Sequence, residues 1–195
     1  EIVERFALTP KSHRRSIIFA AFSGEESGLL GSKHFTENPP VDLSKVNAMI
    51  NLDMVGRLSD SGSLQVGGIG TSPVLRDLVV SLADTNTMNL SLTEEGSGPS
   101  DHSAFYGKDI PVLFFTTGAH LDYHTPSDTW DKLNYPGMVS VGDFIFSIAQ
   151  RLANDEEKLV FTEAGPRQES VRTMRGQSVT LGIMPDFAGN VKNGL

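Results

Sequence analysis

The chain has 195 residues, 38% of them hydrophobic and 21% charged, which suits one folded domain with a sizeable core. A net charge of -8 and a pI near 5.0, with no basic stripe to offset the acid excess, exclude a nucleic-acid binder. No apolar run approaches the roughly 20 residues of a membrane span, and the absence of cysteine excludes disulfides and thiolate metal sites while leaving the compartment open.

Glu1 to Leu8 reads as the end of a helix, with Ile2, Val3 and Phe6 toward one face and Pro10 stopping it. Ser16 to Ser23 (SIIFAAFS) is a nearly continuous apolar run, which predicts a strand buried on both faces. Helical spacing follows over Ser27 to Thr36, ended by Asn38-Pro39-Pro40. Val46 to Val55 predicts a second buried strand and Ser63 to Val66 a third, before a turn at Gly67-Gly68. Pro73 marks a helix start, with Val74, Leu75, Leu78, Val79 and Leu82 as its apolar face. Leu90 to Thr93 predicts a short strand and Pro111 to Thr116 a strong one. Gly137 to Leu152 is the clearest helix, because Val141, Ile145, Ile148 and Leu152 form one stripe. Buried strands alternating with amphipathic helices predict an α/β layered sheet.

Residues 155–178 carry little apolar periodicity and read as linker, and Val179 to Met184 reads as a fresh strand. The chain begins with Glu, no signal peptide precedes it, and Gly194-Leu195 terminates no recognisable element. Both ends are therefore expected to be cuts in a longer protein.

The acids and histidines sit at informative places. Glu25-Glu26 follow one apolar run, Asp53 ends another, and His124 follows the Pro111–Thr116 run across a short loop. Ligand sites in α/β sheets collect beyond the carboxyl ends of strands. Three strand ends thus deliver carboxylate, carboxylate and imidazole to one edge, a donor set that suits zinc, with cobalt or manganese as substitutes. Adjacent acids diverge, so one can bind metal while the other takes a proton from a metal-bound water whose pKa is lowered toward 7. Each residue alone has a plainer reading. Glu-Glu pairs are mostly solvated surface, a strand-end Asp is often a turn or cap, and a loop histidine often bonds backbone. Asp101-His102 reads as a helix start capped by Ser100 or Asp101. It is the joint arrangement that favours chemistry.

That arrangement includes Phe22-Ser23-Gly24-Glu25-Glu26-Ser27-Gly28-Leu29-Leu30-Gly31-Ser32, Asn51-Leu52-Asp53-Met54-Val55-Gly56, Ser100-Asp101-His102 and Tyr123-His124-Thr125-Pro126-Ser127-Asp128-Thr129. With these four motifs in order, the sequence resembles the M28 metallopeptidases, the co-catalytic zinc aminopeptidases, over roughly residues 1–153. The resemblance implies an α/β fold with a mostly parallel or mixed central sheet and helices on both faces. It implies Glu25 as general base and acid, Glu26 and His124 as ligands of one zinc ion, and Asp53 as a ligand of a second. Asp101, His102, Tyr123 and Asp128 are candidates for supporting the ligands or lining the substrate site.

The family's other two ligands, a histidine and an aspartate bridging both ions, are expected upstream of Glu1. His13 reads as lying in a basic, exposed turn, His34 as a packing residue, and His120 has no counterpart. Gly96-Ser97-Gly98-Pro99 stands where some members carry a tyrosine that helps stabilise the oxyanion, which leaves Tyr123 as a candidate by proximity in sequence. The expected organisation is a catalytic part at 1–153, a linker at 154–178 and the first strand of a PDZ-like domain at 179–195.

The expected activity is removal of a peptide's N-terminal residue. Two zinc ions are expected in the full-length enzyme, and at most one, weakly held, in this chain alone. A glutaminyl cyclase-like single-zinc enzyme and a non-catalytic binding ectodomain of the same fold are the alternatives, and the presence of Glu25 argues against the second. Peptides are the expected partners, and a periplasmic or secreted location is what the resemblance implies.

Overall fold

The structure, a computed structural model, describes residues 1–9, 13–83 and 88–167, so the candidate strand at 179–184 and its PDZ-like reading lie outside the described residues. Four strands form one sheet: β1 (Met49–Leu52), β2 (Ser63–Gly67), β3 (Asn89–Leu92) and β4 (Val112–Thr116), in the order β1-β4-β2-β3. β1 runs parallel to β4, β4 antiparallel to β2, and β2 parallel to β3. The sheet is therefore mixed, as the family resemblance implies.

β4 is the spine, and its sequence explains why. Val112, Leu113 and Phe115 are fully buried, a run with no polar side until Thr116, as a strand covered on both faces requires. Leu113 and Phe115 share one face with Leu64 and Val66 of β2. There they meet α3 (Leu75–Leu82) and α5 (Tyr135–Asn154) through Val79, Val141, Phe144, Ile145 and Ile148. α1 (Ile2–Leu8) lies on the outer side of α5, where the Phe6 ring packs tilted against Phe146, centroids 4.7 Å apart. Val112 points the other way, into a second cluster with Phe105, Tyr106 and Ile110 that α2 (Leu30–Glu37) and α4 (His102–Tyr106) help cover. Each fully buried Leu, Ile or Phe in these layers contributes about 1.5–3 kcal/mol. The start of α5 is set locally: Asn134 Oδ1 accepts from the Gly137 amide at 2.9 Å, and Pro136 occupies the first turn.

Several expectations are corrected. Residues 16–23 form no strand among the described residues; the apolar run has no partner edge, and Ile18 and Phe19 stand 54% and 46% exposed. Phe22 of that run joins an aromatic cluster with Phe35 and Phe105, and the Phe19 ring lies 6.1 Å from that of Phe6. α2 begins at Leu30 rather than Ser27, because residues 24–29 are wound into a turn with Gly28 and Leu29 at φ 102° and 60°. α3 begins at Leu75, so Pro73 precedes the helix instead of opening it. His34 is exposed rather than packed, whereas His13 is half-buried with its ring edge against Phe6. No helix among the described residues is long and apolar enough to cross a membrane.

Residues 155–167 contain no helix or strand, yet they do not hang free. The Leu159 amide donates to Asn47 Oδ1 at 2.7 Å and the Thr162 amide to the Thr71 carbonyl at 2.9 Å. The Tyr106 hydroxyl accepts from the Ala164 amide at 2.9 Å and donates to the Gly165 carbonyl at 2.8 Å. This strap crosses the second core cluster, with Phe161 against the Tyr106 ring. The Tyr106 ring is fully buried, and Tyr106→Phe removes both hydrogen bonds that tie the strap's Ala164 and Gly165 backbone to it. The expected cost is about 1–3 kcal/mol in urea unfolding, with faster proteolysis confined to 155–167; unchanged stability and cleavage would show that the strap is incidental.

Candidate active site

β1 and β4 end side by side. Leu52 pairs with Phe115, and the Asp53 amide donates to the Phe115 carbonyl at 3.1 Å. Beyond these ends the two loops are stitched together, since the Thr117 amide donates to the Met54 carbonyl at 3.1 Å. Met54 and His124 both adopt left-handed backbone, at φ 55° each, which re-aims the chain immediately beyond Asp53 and at the imidazole. The third contributor is the turn at residues 24–29. The Leu30 amide returns to the Gly24 carbonyl and the Leu29 amide to the Glu25 carbonyl, closing a loop that presents both glutamates.

Residues 98 positions apart meet here: His124 Nε2 lies 2.8 Å from Glu26 Oε1. Glu25 is close enough to Asp53, Glu26 and Asp101 to feel them. Its pKa is pushed up, first by burial and then by those three carboxylates, with His124 opposing. Tyr123 stacks on the His124 ring at 3.8 Å, and its hydroxyl is also pushed up, by burial and then by Glu26, Asp53 and Glu25. Glu25, Glu26, Asp53, Asp101, Tyr123 and His124 therefore share one edge of the sheet.

Asp53 is held from behind. The Asn51 side-chain amide donates to Ser100 Oγ at 2.8 Å, and Ser100 Oγ donates to Asp53 Oδ2 at 2.7 Å. From sequence, Ser100 reads only as a candidate helix cap and Asn51 only as part of the Asn-Leu-Asp run; no local signal shows that the two meet. Asp101 precedes α4 without a side-chain capping bond, and its Oδ1 is buried with no hydrogen-bond partner. Asp128 lies apart from the glutamates, at 2.5 Å from Arg57 Nη2, and its other oxygen is 3.7 Å from His120 Nε2.

His102 is not at the site surface. It is 1% exposed, stacked on Phe114 at 4.4 Å, with Nδ1 3.5 Å from the Asn51 side-chain amide. A Cβ at Gly98 would sit 2.6 Å from His102 Nε2, so the glycine makes room for this ring.

The donor set fits a divalent cation in its chemistry. Carboxylates crowd together and raise Glu25, an imidazole faces one of them, and a cation would relieve the repulsion. Ligand atoms about 2.0–2.2 Å from a tetrahedral zinc lie ~3.3 Å from each other. The 2.8 Å between His124 Nε2 and Glu26 Oε1 is slightly less, so the pair would have to part a little to hold an ion between them. Among the described residues, however, no three His, Asp or Glu side chains gather at metal-binding spacing.

Residues 1–149 match the model of peptidase family M28, and the chain belongs to that family. It is 30% identical over 154 residues to aminopeptidase YwaD of Bacillus subtilis, covering 74% of this chain and 33% of the relative. Among solved structures, the aminopeptidase from Aneurinibacillus sp. strain AM-1 superposes with a TM-score of 0.59 at 30% identity, over 76% of this chain and 36% of that one. A zinc aminopeptidase from Bacillus subtilis gives a TM-score of 0.59 at 28% identity, over 71% and 36%. The chain thus spans about a third of the length of these relatives.

Burial holds the His102 pKa down at about 4, against 6.5 for a free imidazole. The unfolded chain therefore binds an extra proton between these values, and stability falls as the pH drops through that window. The expected loss is at most about 3 kcal/mol. His102→Gln should flatten the stability–pH curve between pH 7 and 4; an unchanged acid limb would show that the ring is not held neutral.

Proposed function

We propose that the protein acts as a zinc-dependent exopeptidase that removes the N-terminal residue of peptides. The observation that carries this reading is the 2.8 Å approach of His124 Nε2 to Glu26 Oε1, with Glu25 and Asp53 beside them. Membership of family M28 and likeness to aminopeptidases support it. Glu26 and His124 would hold one ion and Asp53 another, completed by a histidine and a bridging aspartate that the family resemblance puts ahead of these residues. Bound zinc supplies Lewis acidity for the scissile carbonyl and a nucleophile at neutral pH.

This chain's own residues do the rest. Glu25 accepts a proton on its carboxylate and returns it to the leaving amine. Its raised pKa suits that exchange, because a base poised nearer neutrality both takes and gives up a proton readily. Ser100 and Asn51 hold the Asp53 carboxylate in place, and Tyr123 stacks on one face of the His124 ring.

Glu25→Gln in the full-length protein is expected to keep its metal and lose roughly 10²–10⁴-fold in turnover, since an amide cannot accept the proton. Glu26→Gln is expected to lower metal content instead. Near-normal hydrolysis of a leucine anilide by Glu25→Gln would remove Glu25 from the mechanism.

On its own, the 195-residue chain offers two donors for one ion and one for the other, short of the three protein ligands typical of catalytic zinc. Calorimetric titration is expected to show at most one weakly bound zinc per chain, with no peptide hydrolysis. Tight binding of two ions, or turnover, would mean the ligands are assigned wrongly.

A further inference from the structure

Arg57 lies four positions beyond Asp53, in the β1–β2 connection, and was not singled out from sequence. Its backbone amide donates to Thr117 Oγ1 at 3.3 Å, and that hydroxyl in turn donates to the Met54 carbonyl at 2.5 Å. From this stem the side chain turns into the loop that carries His124. Arg57 Nη2 donates to Asp122 Oδ2 at 3.3 Å and to Asp128 Oδ1 at 2.5 Å. Asp122 stands two positions before His124 and Asp128 four after, so one guanidinium grips both flanks of the imidazole-bearing turn. The grip is reinforced: Asp122 Oδ1 also accepts from Lys132 Nζ at 2.6 Å and Ser127 Oγ at 2.8 Å, and its carbonyl accepts from Thr125 Oγ1 at 2.7 Å.

Two features separate this cluster from ordinary surface ion pairs, which contribute about 0–1 kcal/mol. The Arg57 side chain is 17% exposed, whereas in the Arg14–Glu156 pair the side chains are 61% and 81% exposed. The turn it encloses also holds His124 at φ 55°, a left-handed conformation that costs a non-glycine residue about 1–2 kcal/mol and persists only where the surroundings over-determine it. Removing the guanidinium leaves Asp122 and Asp128 with one ammonium between them, and lets that turn relax toward ordinary backbone.

We infer that Arg57 is a positioning residue: it holds His124 in its left-handed conformation against Glu26 and fixes the distance between the Asp53 loop and the His124 loop. The inference rests on the metal-centre reading for its consequence, and on the geometry alone for its structural half.

Three variants test it, each compared with wild type: Arg57→Met, Arg57→Lys and, as a distant control, Arg14→Met. Side-chain histidine resonances in the metal-free chain report ring position directly. Arg57→Met is expected to move the His124 signals while leaving those of buried His102 in place, with Arg57→Lys intermediate and Arg14→Met silent. In the full-length protein, zinc affinity is expected to fall ~10-fold in Arg57→Met, with partial recovery in Arg57→Lys. If Arg57→Met unfolds, Asp128→Asn, which removes one of the two contacts, should give the same shifts at smaller amplitude. Unmoved His124 signals in Arg57→Met, or in Asp128→Asn where Arg57→Met unfolds, would overturn the positioning role. Moved signals with unchanged zinc affinity would overturn the metal-centre reading and leave the positioning role standing.

Discussion

The pairing of β1 with β4 is the constraint from which the site follows. Two parallel strands in register from Met49–Val112 to Leu52–Phe115 stop at the same height, so whatever follows each must emerge at one place. Asp53 follows one and the loop to His124 follows the other. The pairing is robust because β4 is buried on both faces and flanked by strands on both edges, so a slip would lose a ladder of hydrogen bonds and expose its apolar set together. The Thr117–Met54 stitch and the Arg57 grip extend this alignment past the strand ends, where the backbone ladder no longer acts.

Charge is distributed with a clear asymmetry around that point. On the glutamate side, Glu25, Glu26, Asp53 and Asp101 oppose one another with a single imidazole among them, and Glu25 is pushed toward its neutral form. On the far side, Asp122 and Asp128 are matched by Arg57 and Lys132, and Asp122 is drawn down to about 2, chiefly by Lys132 and Ser127. Matched charges make a rigid frame; unmatched ones make a place where a cation gains free energy by arriving. The same fold thus builds a braced frame and a crowded, unmatched cluster from the same residue types.

Support also comes from well outside the site. The strap at residues 158–165 ties to Tyr106 and, through the Ala164 carbonyl, to the Gly96 amide. Gly96 opens the turn that runs through Gly98 to Ser100, whose hydroxyl holds Asp53, and into α4, where His102 fills the space that Gly98 leaves. A stretch that reads as plain polar linker is in this way mechanically continuous with a carboxylate at the sheet edge.

Much of this was legible locally. The apolar run of β4, the stripe of α5 and the acids at strand ends are patterns within a few residues, where propensity and periodicity act. The motif order identified the family. Residues 16–23 mark the limit: an apolar run specifies that a segment will be buried as a strand only if a partner edge exists, and the run itself carries no information about the edge. The insertion of β4 between β1 and β2, the Ser100–Asp53 bond across 47 positions and the Arg57–Asp128 contact across 71 were decided by tertiary structure alone. Sequence determined which chemical groups stand at the strand ends, because strand, turn and helix signals are local. Which of those groups touch, and which residues brace them, depends on how distant segments pack, and no spacing within the chain encodes that.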